Sequence, residues 1–119
     1  MQIKPHELHC YIFSLILSPQ QEAHWFDILT ADEKATARRY RFAKDQQRYI
    51  AARGNLRQIL GHYLNEPAAT VAIDYTSFEK PFLAAHPELH FNVSHSHELG
   101  VIVLSTKPVG VDIERVAWF

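Results

Sequence analysis

A single cysteine, Cys10, leaves nothing with which to form a disulfide within the chain. That fits a reducing cytoplasm. Long apolar runs are missing as well, and none approaches the ~20 residues of a membrane span. The stretch "CYIFSLIL" is short for the apolar core of a signal peptide. The "KPHELH" before it is polar, and no small-x-small cleavage site follows. Charge of one sign is not in excess: the formal net charge is -1. No global field therefore recruits nucleic acid or an anionic membrane, and any anionic ligand must be met by local charge. Internal repeats and low-complexity segments are also absent.

What is present is ordinary globular material. The chain has 119 residues, 47% hydrophobic and 21% charged, which suits one domain over 1–119 with a modest core. "HCYIFSLIL" (9–17) is rich in β-branched and aromatic residues and reads as a strand. Tyr11, Phe13, Leu15 and Leu17 share one face, and Cys10, Ile12 and Ile16 the other, so both faces are expected to be buried. "SPQQEAHWFDIL" offers a turn and a short helix. "TADE" at 30–33 has the form of a capping box and predicts a helix from Ala31 to Arg39. After the break "RFAKD", Asp45 is the expected N-cap of a longer helix reaching Leu64. Gly54 lies inside that helix and weakens it by roughly 1 kcal/mol relative to Ala, for which a close packing contact is one reason. Four strands follow, at 70–75, 89–94, 99–105 and 109–114. The last three are separated by short connections that favour antiparallel neighbours. Strand, helices and then a meander argue an α+β fold, a small antiparallel sheet with helices packed on one side.

Three groups of residues carry chemistry. In a strand, Asp112 and Glu114 would place two carboxylates on one face. A hard cation such as Mg²⁺ would neutralise them, although from spacing alone an exposed strand end with solvated charges is the simpler account. Eight of the twelve Lys and Arg residues (Lys34, Arg38, Arg39, Arg41, Lys44, Arg48, Arg53 and Arg57) lie within "KATARRYRFAKDQQRYIAARGNLR", which spans the two helices and the break between them. Arg offers a planar fork suited to phosphate, while a solvated, salt-bridged helical face is the ordinary alternative. "HFNVSHSH" holds His90, His95 and His97. The His95-x-His97 pair lacks a third ligand at zinc spacing and points to hydrogen-bonded structure, and a His beside Ser and Lys also suits phosphate. Ser94 and Ser96 flank His95 without a nucleophile elbow.

The order of these features is more specific than any one of them. Through "RRYRFAKDQQRYIAAR", "FEKPFL", "HFNVSHSHE" and "VGVDIE", the chain resembles the N-terminal half of a two-half 4′-phosphopantetheinyl transferase. The resemblance runs from about residue 31 to 115. It implies one half of a pseudo-twofold fold. It also implies transfer of the phosphopantetheine arm of coenzyme A to a serine of an acyl or peptidyl carrier protein. Asp112 and Glu114 fall on the family's Mg²⁺ ligands. Arg48 falls in the helical motif that helps bind coenzyme A, with Lys34 and Arg38 nearby. Lys80 and Pro81 match the "GKP" segment beside the adenine and its phosphates. Ser94 and His95 match "SHS", where the His meets the nucleotide's 3′-phosphate.

The chain departs from the family pattern in two places. The usual "YGKP" is "FEKP" here, and Glu79 brings a negative charge near the expected phosphates. Nothing matches the "W-x-x-KEA" helix of the family's second half, so no catalytic base is expected in this half. The resemblance then implies a truncated transferase, one wall of the coenzyme A cleft, with impaired activity, and the single cysteine suits the cytoplasm. The alternative is a non-catalytic half-domain that binds coenzyme A or a carrier protein as a homodimer. Apolar surface made for a second half, with Trp118 and Phe119 near the end, predicts self-association.

Overall fold

A computed structural model of the protein describes residues 2–111 and 116–118. It has an α+β fold in which three helices precede most of the strands. The elements are β1 (His9–Ser14), α1 (Pro19–Asp27), α2 (Ala31–Arg39), α3 (Ala43–Leu64), β2 (Asp74–Tyr75), β3 (Pro81–Phe82), β4 (His90–Ser96), β5 (Leu99–Ser105), β6 (Val109–Val111) and β7 (Val116–Trp118). The chain forms two compact units. One comprises 13–71 with the turn at 97–99; the other comprises 2–12, 72–96 and the chain from 100 onward.

The helical unit is built by local rules that are legible in the sequence. Ser18 and Thr30 each close a capping box. The Gln21 N–H donates to Ser18 Oγ at 3.2 Å, and the Ser18 N–H donates to Gln21 Oε1 at 2.8 Å. At α2 the Glu33 N–H donates to Thr30 Oγ1 at 3.2 Å, and the Thr30 N–H to Glu33 Oε1 at 2.9 Å. Each box satisfies two N–H groups that the helix start leaves orphaned. α3 departs from expectation. Its N-cap is Phe42, not Asp45, and no side chain caps it. Phe42 is extended and the helix is already under way at Ala43, so Asp45 sits inside the first turn, where its negative charge meets the positive end of the helix dipole. At the other end Asn65 turns left-handed at φ 55, and the Glu66 N–H closes on the Gly61 carbonyl at 3.0 Å.

Three contacts hold the helices together. Leu29, Ala37 and Ile50 form a buried cluster against which Leu17, Trp25, Phe26 and Tyr49 pack. Gly54 lets α1 approach α3: a Cβ there would lie 2.8 Å from Trp25 Cβ and Cε3. That is the packing reason for a glycine in a helix interior. The third contact is ionic. Arg57 and Glu33 are 2% and 5% exposed, so this pair is removed from water. Arg57 also donates to the carbonyls of Ala68 (3.0 Å) and Val71 (2.8 Å).

That last pair of bonds corrects the strand expected at 70–75. Ala68–Thr70 is a single 3-10 turn, and only Asp74–Tyr75 is extended. The Val71 carbonyl, which a sheet ladder would have used, is taken by a buried guanidinium instead. The first strand is also shorter than expected and is covered on one face only. Along His9–Ser14 half-buried and exposed residues alternate, and beyond it Leu15 is buried while Ile16 is exposed. Cys10 is exposed and Ile12 is 69% exposed, so the second face is not core. Alternation of this kind marks a strand with one open face. The Ser14 hydroxyl takes the Ile16 N–H at 3.0 Å, and the Gln47 amide pairs with both backbone groups of Leu17. Backbone pairing runs one residue past Ser14, where the Leu15 N–H donates to the Glu98 carbonyl at 2.7 Å, and side chains take over from Ile16.

In the second unit, Val101, Val103 and Val109 form a core with Leu8 packed on it. The main sheet has the order β1-β5-β4. His97 and Glu98 alone join β4 to β5, a connection that only an antiparallel pair can make. His97 adopts φ 51 in that turn. β2 pairs antiparallel with β3, Tyr75 opposite Pro81 and Asp74 opposite Phe82. β6 pairs antiparallel with β7, Val111 opposite Val116. β3 and β7 have no counterpart in the sequence reading. The expected strand at 109–114 is seen as far as Val111.

Candidate functional site

Asp112 and Glu114, the expected metal ligands, lie outside the described residues, as do Arg115 and Phe119. The other candidates fall on two elements in each unit. In the helical unit, Lys34 and Arg38 are one turn apart on α2, and both lie over the ring of Phe26. Lys34 Nζ is 5.4 Å from its centroid and Arg38 Cζ is 4.9 Å away. These are cation–π distances. Among the described residues neither has a carboxylate within salt-bridge reach. Arg48 stands in the second turn of α3, half-buried, with Nη1 3.9 Å from Asp45 Oδ1. Two further ring contacts occur nearby, Arg41 over Phe42 between the helices and Arg53 over Tyr49 on α3. Arg57 does not belong with these cations. Its guanidinium is buried against Glu33 and two carbonyls, so it is structural.

In the second unit, Lys80 and Pro81 belong to the β2–β3 hairpin. Thr76 organises its turn: the hydroxyl accepts the N–H groups of Phe78 (3.3 Å) and Lys80 (3.1 Å). The Thr76 N–H donates to the Lys80 carbonyl and the Glu79 N–H to the Thr76 carbonyl, each at 2.9 Å. The result presents Phe78 almost fully to solvent, at 92% exposure, and leaves Lys80 exposed. Glu79 adopts φ 63, a left-handed conformation that favours glycine. The glycine of "YGKP" thus has a conformational reason, and this chain meets the same turn with a strained residue. Pro81 is half-buried in β3. Ser94 and His95 are successive residues of β4 and point to opposite faces, Ser94 half-buried and His95 exposed.

Sequence reasoning missed Phe26, Thr76 and the role of Arg57. Thr76 was within reach, because a Thr before a short polar turn often bonds its own backbone. Phe26 and Arg57 act through tertiary contacts, which one sequence does not display. Elsewhere, the Lys4 N–H donates to the Glu7 carboxylate at 2.7 Å and holds its pKa below the ordinary value, with His9 adding to the effect. A surface depression of about 610 Å³ lies at the C-terminal end of α3, lined by Gln58, Gly61, His62, Asn65, Glu66, Pro67 and Ala68. It contains none of the candidate residues.

These features define a small α+β domain whose positive charge is concentrated on two helices. The chain belongs to the 4′-phosphopantetheinyl transferase family: the family model described as "4'-phosphopantetheinyl transferase, N-terminal" matches residues 18–107. The chain is 37% identical over 112 residues to the 4′-phosphopantetheinyl transferase HetI of Nostoc sp., covering 91% of this chain and 47% of that protein. It is 35% identical over 100 residues to the 4′-phosphopantetheinyl transferase gsp of Aneurinibacillus migulanus, covering 81% and 41%. A mammalian relative, the L-aminoadipate-semialdehyde dehydrogenase-phosphopantetheinyl transferase of Mus musculus, is 29% identical over 93 residues, covering 73% and 30%. The chain spans about half the length, or less, of the curated relatives it matches. Among the described residues no helix is long and apolar enough to cross a membrane.

Proposed function

We propose that this chain forms the N-terminal half of an enzyme that moves the 4′-phosphopantetheine arm of coenzyme A onto a serine of an acyl or peptidyl carrier protein. The observation that carries the reading is the family match over 18–107, which includes both basic helices, "FEKP" and "FNVSHS". Lys34, Arg38 and Arg48 on the helices, and Lys80, Pro81, Ser94 and His95 on the strands, are the residues of this half that would bind coenzyme A. The exposure of Arg38, Lys80 and His95 supports that role, because a polyanionic ligand needs donors it can reach.

Asp112 and Glu114 would hold Mg²⁺. Two carboxylates are hard oxygen donors of the kind that ion prefers. When bound, the ion neutralises charge on the pyrophosphate. No catalytic base is assigned to this half. The reaction belongs in the cytoplasm, in keeping with the single cysteine. The exposed side chain of Ile12 adds apolar surface for self-association.

Mass spectrometry of an apo carrier protein tests the reading. The 119-residue chain is assayed alone and joined to the C-terminal half of the Nostoc relative, with coenzyme A and Mg²⁺. The joined protein is expected to modify the carrier and to lose that activity in Asp112→Ala, while the chain alone transfers little. A joined protein that folds but leaves the carrier unmodified overturns the reading.

A further inference from the structure

We propose that Phe26 is a positioning residue whose ring holds Lys34 and Arg38 as a pre-formed pair for an anionic group of the ligand. The inference rests on the reading of this half as a coenzyme A-binding one and adds a residue to it. Like charges one turn apart on a helix repel, and neither cation has an acidic partner among the described residues. The aromatic quadrupole offsets part of that repulsion while leaving hydrogen-bond donors for a ligand. Two long side chains that would otherwise sample many rotamers are thereby held before the anion arrives.

The ring itself is well anchored. Phe26 packs on the buried Leu29–Ala37–Ile50 cluster. Its neighbour Trp25 fills the space above Gly54, where any Cβ would lie 2.8 Å from the indole. The Gly54 contact seats α1 on α3, and α1 then presents Phe26 to the two cations of α2. A leucine at 26 would keep the apolar packing and lose the π face; a tyrosine would keep both.

The experiment titrates the full chain and three variants, Phe26→Leu, Phe26→Tyr and Lys34→Ala, with coenzyme A in Mg²⁺ by calorimetry. Proton NMR follows the Lys34 and Arg38 side-chain methylenes in the same samples. Phe26→Leu is expected to bind about fivefold more weakly and Phe26→Tyr like the parent. The methylene signals should be shifted upfield in the parent and Phe26→Tyr and lie at ordinary positions in Phe26→Leu. If Lys34→Ala weakens binding while Phe26→Leu does not, the positioning role is wrong. Unshifted methylenes in the parent overturn it whatever the affinities. Intact ring shifts with no coenzyme A binding would overturn the ligand reading and support the cation-holding role of the ring.

Discussion

Arg57 and Glu33 face each other side by side in the interior of the helical unit. Arg57 Nε lies 2.6 Å from Glu33 Oε1, and Nη2 lies 3.1 Å from Oε2. The same carboxylate oxygen that meets Nε accepts the Thr30 N–H at 2.9 Å and so completes the cap of α2. One buried pair therefore fixes the start of α2, joins it to α3, and through Arg57 gathers in the backbone at 68–71. Because α2 carries Lys34 and Arg38, the fold and the candidate site share this support.

Removing one partner should cost more than weakening the pair. Arg57→Ala leaves a buried carboxylate and the carbonyls of Ala68 and Val71 without their donor. It should destabilise the chain by about 3–5 kcal/mol, a large part of the stability of a domain this size. Glu33→Gln keeps a side-chain acceptor for the Thr30 N–H and should cost less. Urea unfolding followed by circular dichroism measures both; equal, small losses would show that the pair is not the support described.

The two glycines of α3 should respond differently to alanine. At Gly54 the new Cβ meets the indole of Trp25, and overpacking should exceed the ~1 kcal/mol gained in helix propensity. At Gly61 the Cβ would lie 2.6 Å from the Glu66 carbonyl oxygen, a backbone atom fixed by the helix C-cap. Gly61→Ala should therefore lower the Tm more than Gly54→Ala. Thermal unfolding that reverses this order, or an Ala variant more stable than the parent, would contradict the packing argument.

Glu79 is the place where the chain could be improved. Replacing it with glycine relieves a left-handed residue and should stabilise the chain by about 0.5–1 kcal/mol after the entropy of the freer unfolded chain is counted. It also removes a negative charge beside Lys80, so coenzyme A affinity should rise, and rise most at low salt. Denaturation and calorimetry on Glu79→Gly check the two effects separately. A variant that is less stable would show that the turn does not carry strain.

Local features were legible in the sequence, and tertiary ones were not. The capping box at Thr30–Glu33, the bounds of α2 and the strand at 99–105 follow from residue type at short range, whereas Gly54 signals a close contact without naming Trp25 as its partner. In the sequence Arg57 is indistinguishable from the surface cations, because its partner Glu33 lies 24 positions away and its carbonyl partners 11 and 14. Asp45 has the residue type of an N-cap, but extended Phe42 starts the helix sooner. The apolar residues Cys10, Ile12 and Ile16 predict a buried second face of β1, but residue type does not say whether anything covers it. The metal pair rests on the resemblance to the family, since its spacing alone suits solvated charges, and Asp112 and Glu114 lie outside the described residues.

The central claim is that this half binds coenzyme A through Mg²⁺ held by Asp112 and Glu114, with Arg48 on the anion. Calorimetric titration of coenzyme A into the parent, Asp112→Ala and Arg48→Ala, with Mg²⁺ and with EDTA, tests it most directly. Binding should require Mg²⁺, disappear in Asp112→Ala, and weaken about tenfold in Arg48→Ala, the scale of one lost charge-assisted contact. The same affinity in all three proteins, with or without the metal, would contradict the account.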